Sequence, residues 1–301
     1  RVLFRSLVYN YRTDKYEQPE TDFPTDVRTM ALQGDTLWIG SLNGLYTYQL
    51  NTKKLASLDS KSNGLPHHTI YSIIRTTDNQ IYVGTYNGLC RYIEESGKFE
   101  NIPLPVNRSV SNLFVNSLLE DTSRQCIWIG MEGSLFQYTP ATGLMKPIDA
   151  FHNNSIKSLA LDGDGNLLAG TDNGLYVYQN DNGTLQHIVH DSRNIQSLTN
   201  NIIWNIFADQ EQNIWLGTDY GISLSRYNSA LQFIPISQIT GTGDGNQFYS
   251  LFRDSKGFYW FGGTNGVIRF TNPTGNKHDA VWYRMGDKHH PLSHNRIRHI
   301  Y

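Results

Sequence analysis

Cysteine, charge and long apolar runs are all scarce in this chain, and each scarcity removes a class of protein. There are only two cysteines, Cys90 and Cys126. They follow no metal or redox spacing and read as buried thiols of a β core, which leaves the cellular compartment open. Charged residues make up 17% of the chain, the net charge is −2, and no Lys/Arg cluster occurs, so there is no electrostatic footprint for nucleic acid. No stretch approaches the roughly 18 apolar residues that span a bilayer. The opening Arg1-Val2-Leu3-Phe4-Arg5 is strand-like rather than a signal peptide, and a chain that starts mid-pattern reads as part of something longer. Enzyme signatures are missing too: there is no Gly-x-Ser-x-Gly elbow, no His-Glu-x-x-His and no phosphate loop.

What the chain does contain is 26 glycines, 18 tyrosines and many Asn and Thr residues. That mixture suits short strands joined by tight turns better than helices. An internal repeat is plain. Trp38-Ile39-Gly40 recurs as Tyr82-Val83-Gly84, Trp128-Ile129-Gly130, Leu168-Ala169-Gly170, Trp215-Leu216-Gly217 and Trp260-Phe261-Gly262. The glycines are 44, 46, 40, 47 and 45 residues apart, which fits one four-stranded propeller blade per repeat. Each unit starts with an apolar–variable–small polar–apolar quartet such as Ile70-Tyr71-Ser72-Ile73. A polar turn, the aromatic strand, a turn such as Asn43-Gly44 or Asn87-Gly88, an alternating strand such as Leu45-Tyr46-Thr47-Tyr48, and an outer strand follow. Asn-Gly here predicts a type I′ hairpin turn, with positive φ at both residues.

The ends predict how the ring closes. Asn295–Ile300 repeats the first-strand quartet and the chain then stops, while Val2–Phe4, Val8–Tyr11 and Lys15–Glu17 read as strands two to four. The expectation is an all-β, seven-bladed β-propeller with four-stranded antiparallel blades. Its seventh blade would pair the C-terminal strand with the N-terminal strands and so leave no open edge. The blades fall at roughly 25–59, 67–104, 111–149, 154–190, 197–236, 245–284, and 293–301 with 1–18, in one domain over 1–301.

These units resemble the two-component regulator propeller repeat. The residues that carry the resemblance are Ser197-Leu198-Thr199-Asn200-Asn201-Ile202-Ile203-Trp204-Asn205-Ile206 with Asn213-Ile214-Trp215-Leu216-Gly217-Thr218, and Pro291–Ile297. Blade four departs, with Leu168 in place of the aromatic. The resemblance implies the periplasmic sensor region of a hybrid two-component receptor in Bacteroidetes, one that detects glycan breakdown products. It implies further domains, a membrane helix and a histidine kinase outside this sequence, so contact with the membrane is through absent segments alone. The domain itself is expected not to be an enzyme and to need no cofactor.

Candidate chemistry is sparse. Asp162, Asp164 and Asn166 mimic the start of a calcium loop, but Leu167 stands where a glycine is needed, and a plain hairpin turn is the better reading. His289, His290, His294 and His299, and the pair His67-His68, lack companions at metal-ligand spacing and read as solvated loop residues. The repeat tryptophans read as packing residues.

The variable position of the quartet is the candidate ligand site. Around the blades it is Arg28, Tyr71, Asn116, Lys157, Trp204, Tyr249 and Arg298: three cations, three aromatics, an amide and no acid. A first strand lies nearest a propeller axis, and such a ring suits an oligosaccharide, with aromatic faces on the sugar and cations favouring an acidic one. Tyr86, Tyr220, His67 and His68 lie on the same rim. The partners expected are this ligand, the receptor's other domains and a second copy of the chain, with no nucleic acid. Two competing readings stay open: an architectural or dimerisation propeller without a ligand, and a polysaccharide lyase or glycosidase, for which Tyr71 or Tyr249 would be the base and paired acids are wanting.

Overall fold

In the computed structural model the described residues are 8–10, 12–17, 23–58, 63–105, 113–151, 154–179, 182–227, 233–235, 247–271, 280–288 and 291–301. Apart from the 3-10 turn Asp149–Phe151, the elements among them are strands. Six antiparallel blades form in chain order, each pairing neighbour to neighbour. The first is Val27–Gln33, Thr36–Ser41, Gly44–Gln49 and Lys54–Leu58. The second is Ile70–Arg75, Ile81–Thr85, Gly88–Ile93 and Lys98–Ile102, and the third is Val115–Asp121, Cys126–Met131, Ser134–Thr139 and Leu144–Pro147. The fourth is Ile156–Leu161, Leu167–Thr171, Gly174–Gln179 and Thr184–Ile188, and the fifth is Ile203–Ala208, Ile214–Thr218, Gly221–Ser225 and Phe233–Pro235. The sixth is Phe248–Arg253, Tyr259–Gly263, Gly266–Phe270 and Val281–Met285, with the short Pro291–Leu292 parallel to its outer strand. The chain divides into two compact units, residues 1–11, 17–156 and 301 in one and 12–16 and 157–300 in the other.

Among the described residues the propeller therefore has six blades, not the seven expected. Val8–Asn10 and Lys15–Glu17 make a two-stranded sheet of their own, and residues 296–300 form no strand; Val2–Phe4 lie outside the described residues. The C-terminal segment nonetheless keeps the blade-to-blade contacts that the quartet encodes. The Ile297 amide donates to the Gly263 carbonyl at 2.8 Å, and the Ile300 amide donates to Ser250 Oγ at 2.9 Å. The quartet pattern thus secures docking on the preceding blade, whereas ladder pairing needs a partner strand that this segment does not have among the described residues.

That last hydrogen bond recurs and gives the small polar residue of the quartet its job. The Ile73 amide donates to Thr29 Oγ1 and the Ile206 amide to Ser158 Oγ, at 3.2 Å and 3.0 Å. Each hydroxyl accepts from the inner strand of the next blade. The motif glycine serves the same packing. A Cβ on Gly84 would lie 2.6 Å from Val115 Cγ1, and one on Gly217 would lie 2.7 Å from the Phe248 carbonyl oxygen. Cores accordingly lie between successive blades, such as Trp38, Leu45, Ile70, Ile73 and Val83, or Trp215, Ile222, Phe248, Leu251 and Phe261.

The repeat tryptophans pack and also donate hydrogen bonds. Trp128, Trp215 and Trp260 give their indole N–H to Asp121, Asp209 and Asp254, at 3.1, 2.9 and 2.8 Å. Each aspartate also accepts a backbone N–H from the turn that follows it. Burial alone would raise the Asp121 carboxyl, but bonds from Ser123, Trp128 and Arg124 hold it below its usual range. Cys90 and Cys126 are free and buried, and burial pushes both thiols up.

The Asn-Gly turns differ from the type I′ expectation. Ser41 pairs with Gly44 and Thr85 with Gly88, so the two loop residues are Leu42-Asn43 and Tyr86-Asn87 and the glycine follows them. Only the glycine takes positive φ, +155° and +116°. The hydroxyl of Ser41 or Thr85 accepts the N–H of the loop asparagine and donates to the glycine carbonyl, closing the turn from within.

Candidate ligand-binding seams

The variable quartet residues occupy β-bulges. The ladder between the first and second strands skips a residue between Val27 and Thr29, Ile70 and Ser72, Val115 and Ser117, Ile203 and Asn205, and Phe248 and Ser250. The skipped residues are Arg28, Tyr71, Asn116, Trp204 and Tyr249. A bulge leaves its extra residue without a ladder partner and re-aims its side chain, so this slot is freed from the pairing that dictates its neighbours.

In the second unit two bulge residues, Trp204 and Tyr249, meet each other and two cations from the other variable quartet positions. Lys157 Nζ sits 4.8 Å from the Trp204 ring centroid, Trp204 and Tyr249 contact edge-to-face at 5.5 Å, and the Arg298 guanidinium lies 4.1 Å over Tyr249. Cation, two aromatics and cation form one continuous row, worth of order 1 kcal/mol per contact. The polar ends of the two rings are joined behind it. Trp204 Nε1 donates to Asp219 Oδ1 at 3.0 Å, Gln247 Nε2 donates to the same oxygen at 2.7 Å, and the Tyr249 hydroxyl donates to Gln247 Oε1. Both rings are thus held from two sides, which fixes the site before any ligand arrives.

Asp219 and Gln247 were not among the residues singled out from the sequence, nor was Arg296, whose guanidinium lies 5.8 Å from the Tyr249 centroid. The ring expected to hold no acid therefore has a carboxylate beside it. Position was the available signal: Asp219 stands two residues after the motif glycine, Gln247 and Arg296 two residues before a bulge slot. Neither Lys157 nor Arg296 has a carboxylate partner among the described residues. Tyr220 is 59% exposed and makes no ring contact with Trp204 or Tyr249.

In the first unit Tyr71 reaches Phe114 at 5.8 Å, while Arg28 and Asn116 join neither by hydrogen bond nor by ring contact among the described residues. The expected histidine roles are also revised. His67 Nδ1 accepts the Thr69 N–H at 3.0 Å and His294 Nδ1 accepts the Arg296 N–H at 2.9 Å. Both do what Asn200 Oδ1 does for Ile202 N–H at 2.8 Å in the fifth blade, capping the turn just before a quartet. They are turn residues rather than merely solvated ones. Burial, then neighbouring His68, lowers His67 below the usual imidazole range, and burial takes His299 down to about 4. His289 and His290 lie outside the described residues, among which no three His, Cys, Asp or Glu side chains gather as for a metal ion. Asp162 instead closes its own hairpin turn, accepting the N–H of Asp164 and of Asn166.

Comparison with known proteins agrees with this architecture. Residues 64–87, 197–220 and 242–265 match the model of the two component regulator propeller. The extracellular domain of a putative hybrid two component system from B. thetaiotaomicron is 83% identical, with a TM-score of 0.72 over 98% of this chain and 40% of that one. A second such domain from the same organism is 18% identical with a TM-score of 0.75, over 100% of this chain and 39% of that one, a likeness of fold. A histidine kinase P4 of Formosa agariphila is 28% identical over 300 residues, 87% of this chain and 20% of the kinase. The chain spans well under half the length of these relatives. Its relatives at high identity are extracellular domains, which places it on the extracytoplasmic side, and no helix of its described residues is long and apolar enough to cross a membrane. Three segments of the chain, residues 64–87, 197–220 and 242–265, thus resemble the two component regulator propeller repeat.

Proposed function

We propose that this propeller is a ligand-sensing part of the extracytoplasmic region of a hybrid two-component receptor, and that its ligand is an oligosaccharide bearing a carboxylate. The observation that carries the reading is the row Lys157–Trp204–Tyr249–Arg298 with its Asp219–Gln247 backing. The aromatic pair suits the C–H face of a sugar ring, and the cations, with Arg296 close by, suit an acid group. The domain acts by binding. A glycosidase needs two carboxyl groups about 5–10 Å apart, and Asp219, the carboxylate bonded to the row, is committed to two hydrogen bonds.

The test is a thermal-shift screen of the chain against neutral and uronate-containing oligosaccharides. A ligand that binds the native state alone raises the melting temperature once it exceeds its dissociation constant. The expected result is a shift with uronate sugars that disappears in Trp204→Ala and Arg298→Ala. No shift with any sugar would assign the chain an architectural role.

A further inference from the structure

We propose a second binding site, on the seam between the second and third blades, that takes an uncharged sugar ring. Its basis is the repeat itself. The row in the second unit is built from four slots: the bulge residue, the residue two after the motif glycine, the residue two before the next bulge, and that next bulge residue. On the fifth and sixth blades these are Trp204, Asp219, Gln247 and Tyr249. On the second and third blades the same slots hold Tyr71, Tyr86, Phe114 and Asn116. The backbone presents both sets alike, and the side chains differ in kind.

Here the contacts are aromatic throughout. Tyr71 lies 5.8 Å from Phe114, Phe114 4.0 Å from Tyr86, Tyr86 4.9 Å from His67, and His67 stacks on His68 at 4.3 Å. The rings tilt by 33°, 49° and 34° along the first three contacts, so they form a stepped set rather than one flat stack. Tyr86 is 43% exposed, and its slot holds Leu42, Glu132, Asp172, Asp219 and Thr264 in the other blades. Packing does not demand an aromatic there.

The chemistry selects the occupant. Among the described residues no cation–π contact and no ion pair involves any of the five rings, unlike the row of the second unit, which disfavours an ionic ligand. Tyr71 and Tyr86 bring hydroxyls that hydrogen-bond to nothing among the described residues. An apolar body with a polar tip matches a pyranoside, whose C–H face lies on the rings while its hydroxyls meet the phenols and the Asn116 amide. His67 is fixed at the outer end by its bond from the Thr69 N–H, so the surface is ordered without ligand.

Saturation-transfer NMR and calorimetry on the chain would test this, with neutral xylo-, cello- and galacto-oligosaccharides and a galacturonate oligosaccharide as probes. The expected result is that at least one neutral sugar binds, and that Tyr86→Ala weakens it by about tenfold, the worth of one good aromatic contact. The galacturonate affinity should stay unchanged in that variant, and Trp204→Ala should do the reverse. Tyr86 is exposed, so its variant should keep the parent melting temperature; Phe114→Ala, from a half-buried position, serves as a second variant if it folds. No transfer from any neutral sugar, unchanged affinity in Tyr86→Ala, or loss of the neutral sugar in Trp204→Ala would each overturn the site. Neutral binding that depends on Tyr86 while galacturonate fails to bind would leave this site standing and remove the acidic ligand from the second unit.

Discussion

At the scale of single residues, histidine is where protonation reaches the fold. Burial takes His299 from 6.5 down to about 4, and His67 is lowered as well. Between those values the unfolded chain binds a proton that the folded chain refuses, so stability is complete above about 6.5 and is lost as pH falls toward about 4. His67 acts in the same sense, because protonating Nδ1 removes the acceptor for the Thr69 N–H. Melting temperatures measured from about pH 7 to about pH 5 should fall more steeply for the parent than for His299→Leu; parallel curves would refute the assignment. Asp209 tests a different residue-scale point. It is buried, accepts from Trp215 and from Asn213, and also receives the Tyr259 hydroxyl at 3.1 Å. Burial, and then the Asp209 charge beside it, push Tyr259 up, so that hydroxyl stays a donor. Asp209→Ala strands several buried donors and should cost about 3 kcal/mol or more by chemical denaturation. A loss within about 0.5 kcal/mol, as at ordinary surface sites, would show that the tryptophan is held by packing alone.

At the scale of the blade, the repeat could be read from the chain because each slot answers to one physical demand. The motif glycine is small because the next inner strand passes over it, and two substitutions separate that demand from backbone conformation. Gly84→Ala places a methyl 2.3 Å from Ser72 Oγ and 2.7 Å from the Val115 carbonyl, whereas Gly88→Ala, at φ +116°, meets nothing within 4 Å. The first should cost about 3 kcal/mol through overpacking and the second about 1 kcal/mol through strain alone. Equal costs in a denaturant titration would mean that blades do not pack through this glycine. Strand order and blade spacing were legible for this reason, and so was the variable slot, whose bulge frees it from pairing. The turn type was not legible. Asn-Gly points to a I′ turn by composition, but the ladder places the asparagine inside the loop and the glycine after it, with the Ser41 or Thr85 hydroxyl completing the turn.

At the scale of the whole molecule, a pattern of residues proved weaker than a count of hydrogen-bonded strands. Residues 295–300 satisfy the quartet and dock on the sixth blade, yet they form no ladder among the described residues, where the blades number six. Asp219 and Gln247 are hard to read from the chain for a related reason: Asp219 bonds Trp204, 15 residues before it, and Gln247, 28 residues after it, a pairing that folding creates. Charge distribution is the remaining whole-molecule property. The chain carries a net charge of −2, yet Lys157, Arg296 and Arg298 gather on two aromatic rings, one of which is bonded to Asp219. An anionic sugar is then drawn by local charge against a weakly repelling whole, so its affinity must depend on screening. Raising salt from about 0.01 M to about 1 M shortens the Debye length from about 30 Å to about 3 Å. Uronate affinity should fall several-fold over that range in the parent and much less in Lys157→Ala, while a neutral sugar on the Tyr86 surface should be indifferent to it. Calorimetric titrations at the two salt concentrations would measure both slopes. A uronate affinity that ignores salt would place the acid group away from these cations and make aromatic stacking the whole of its recognition.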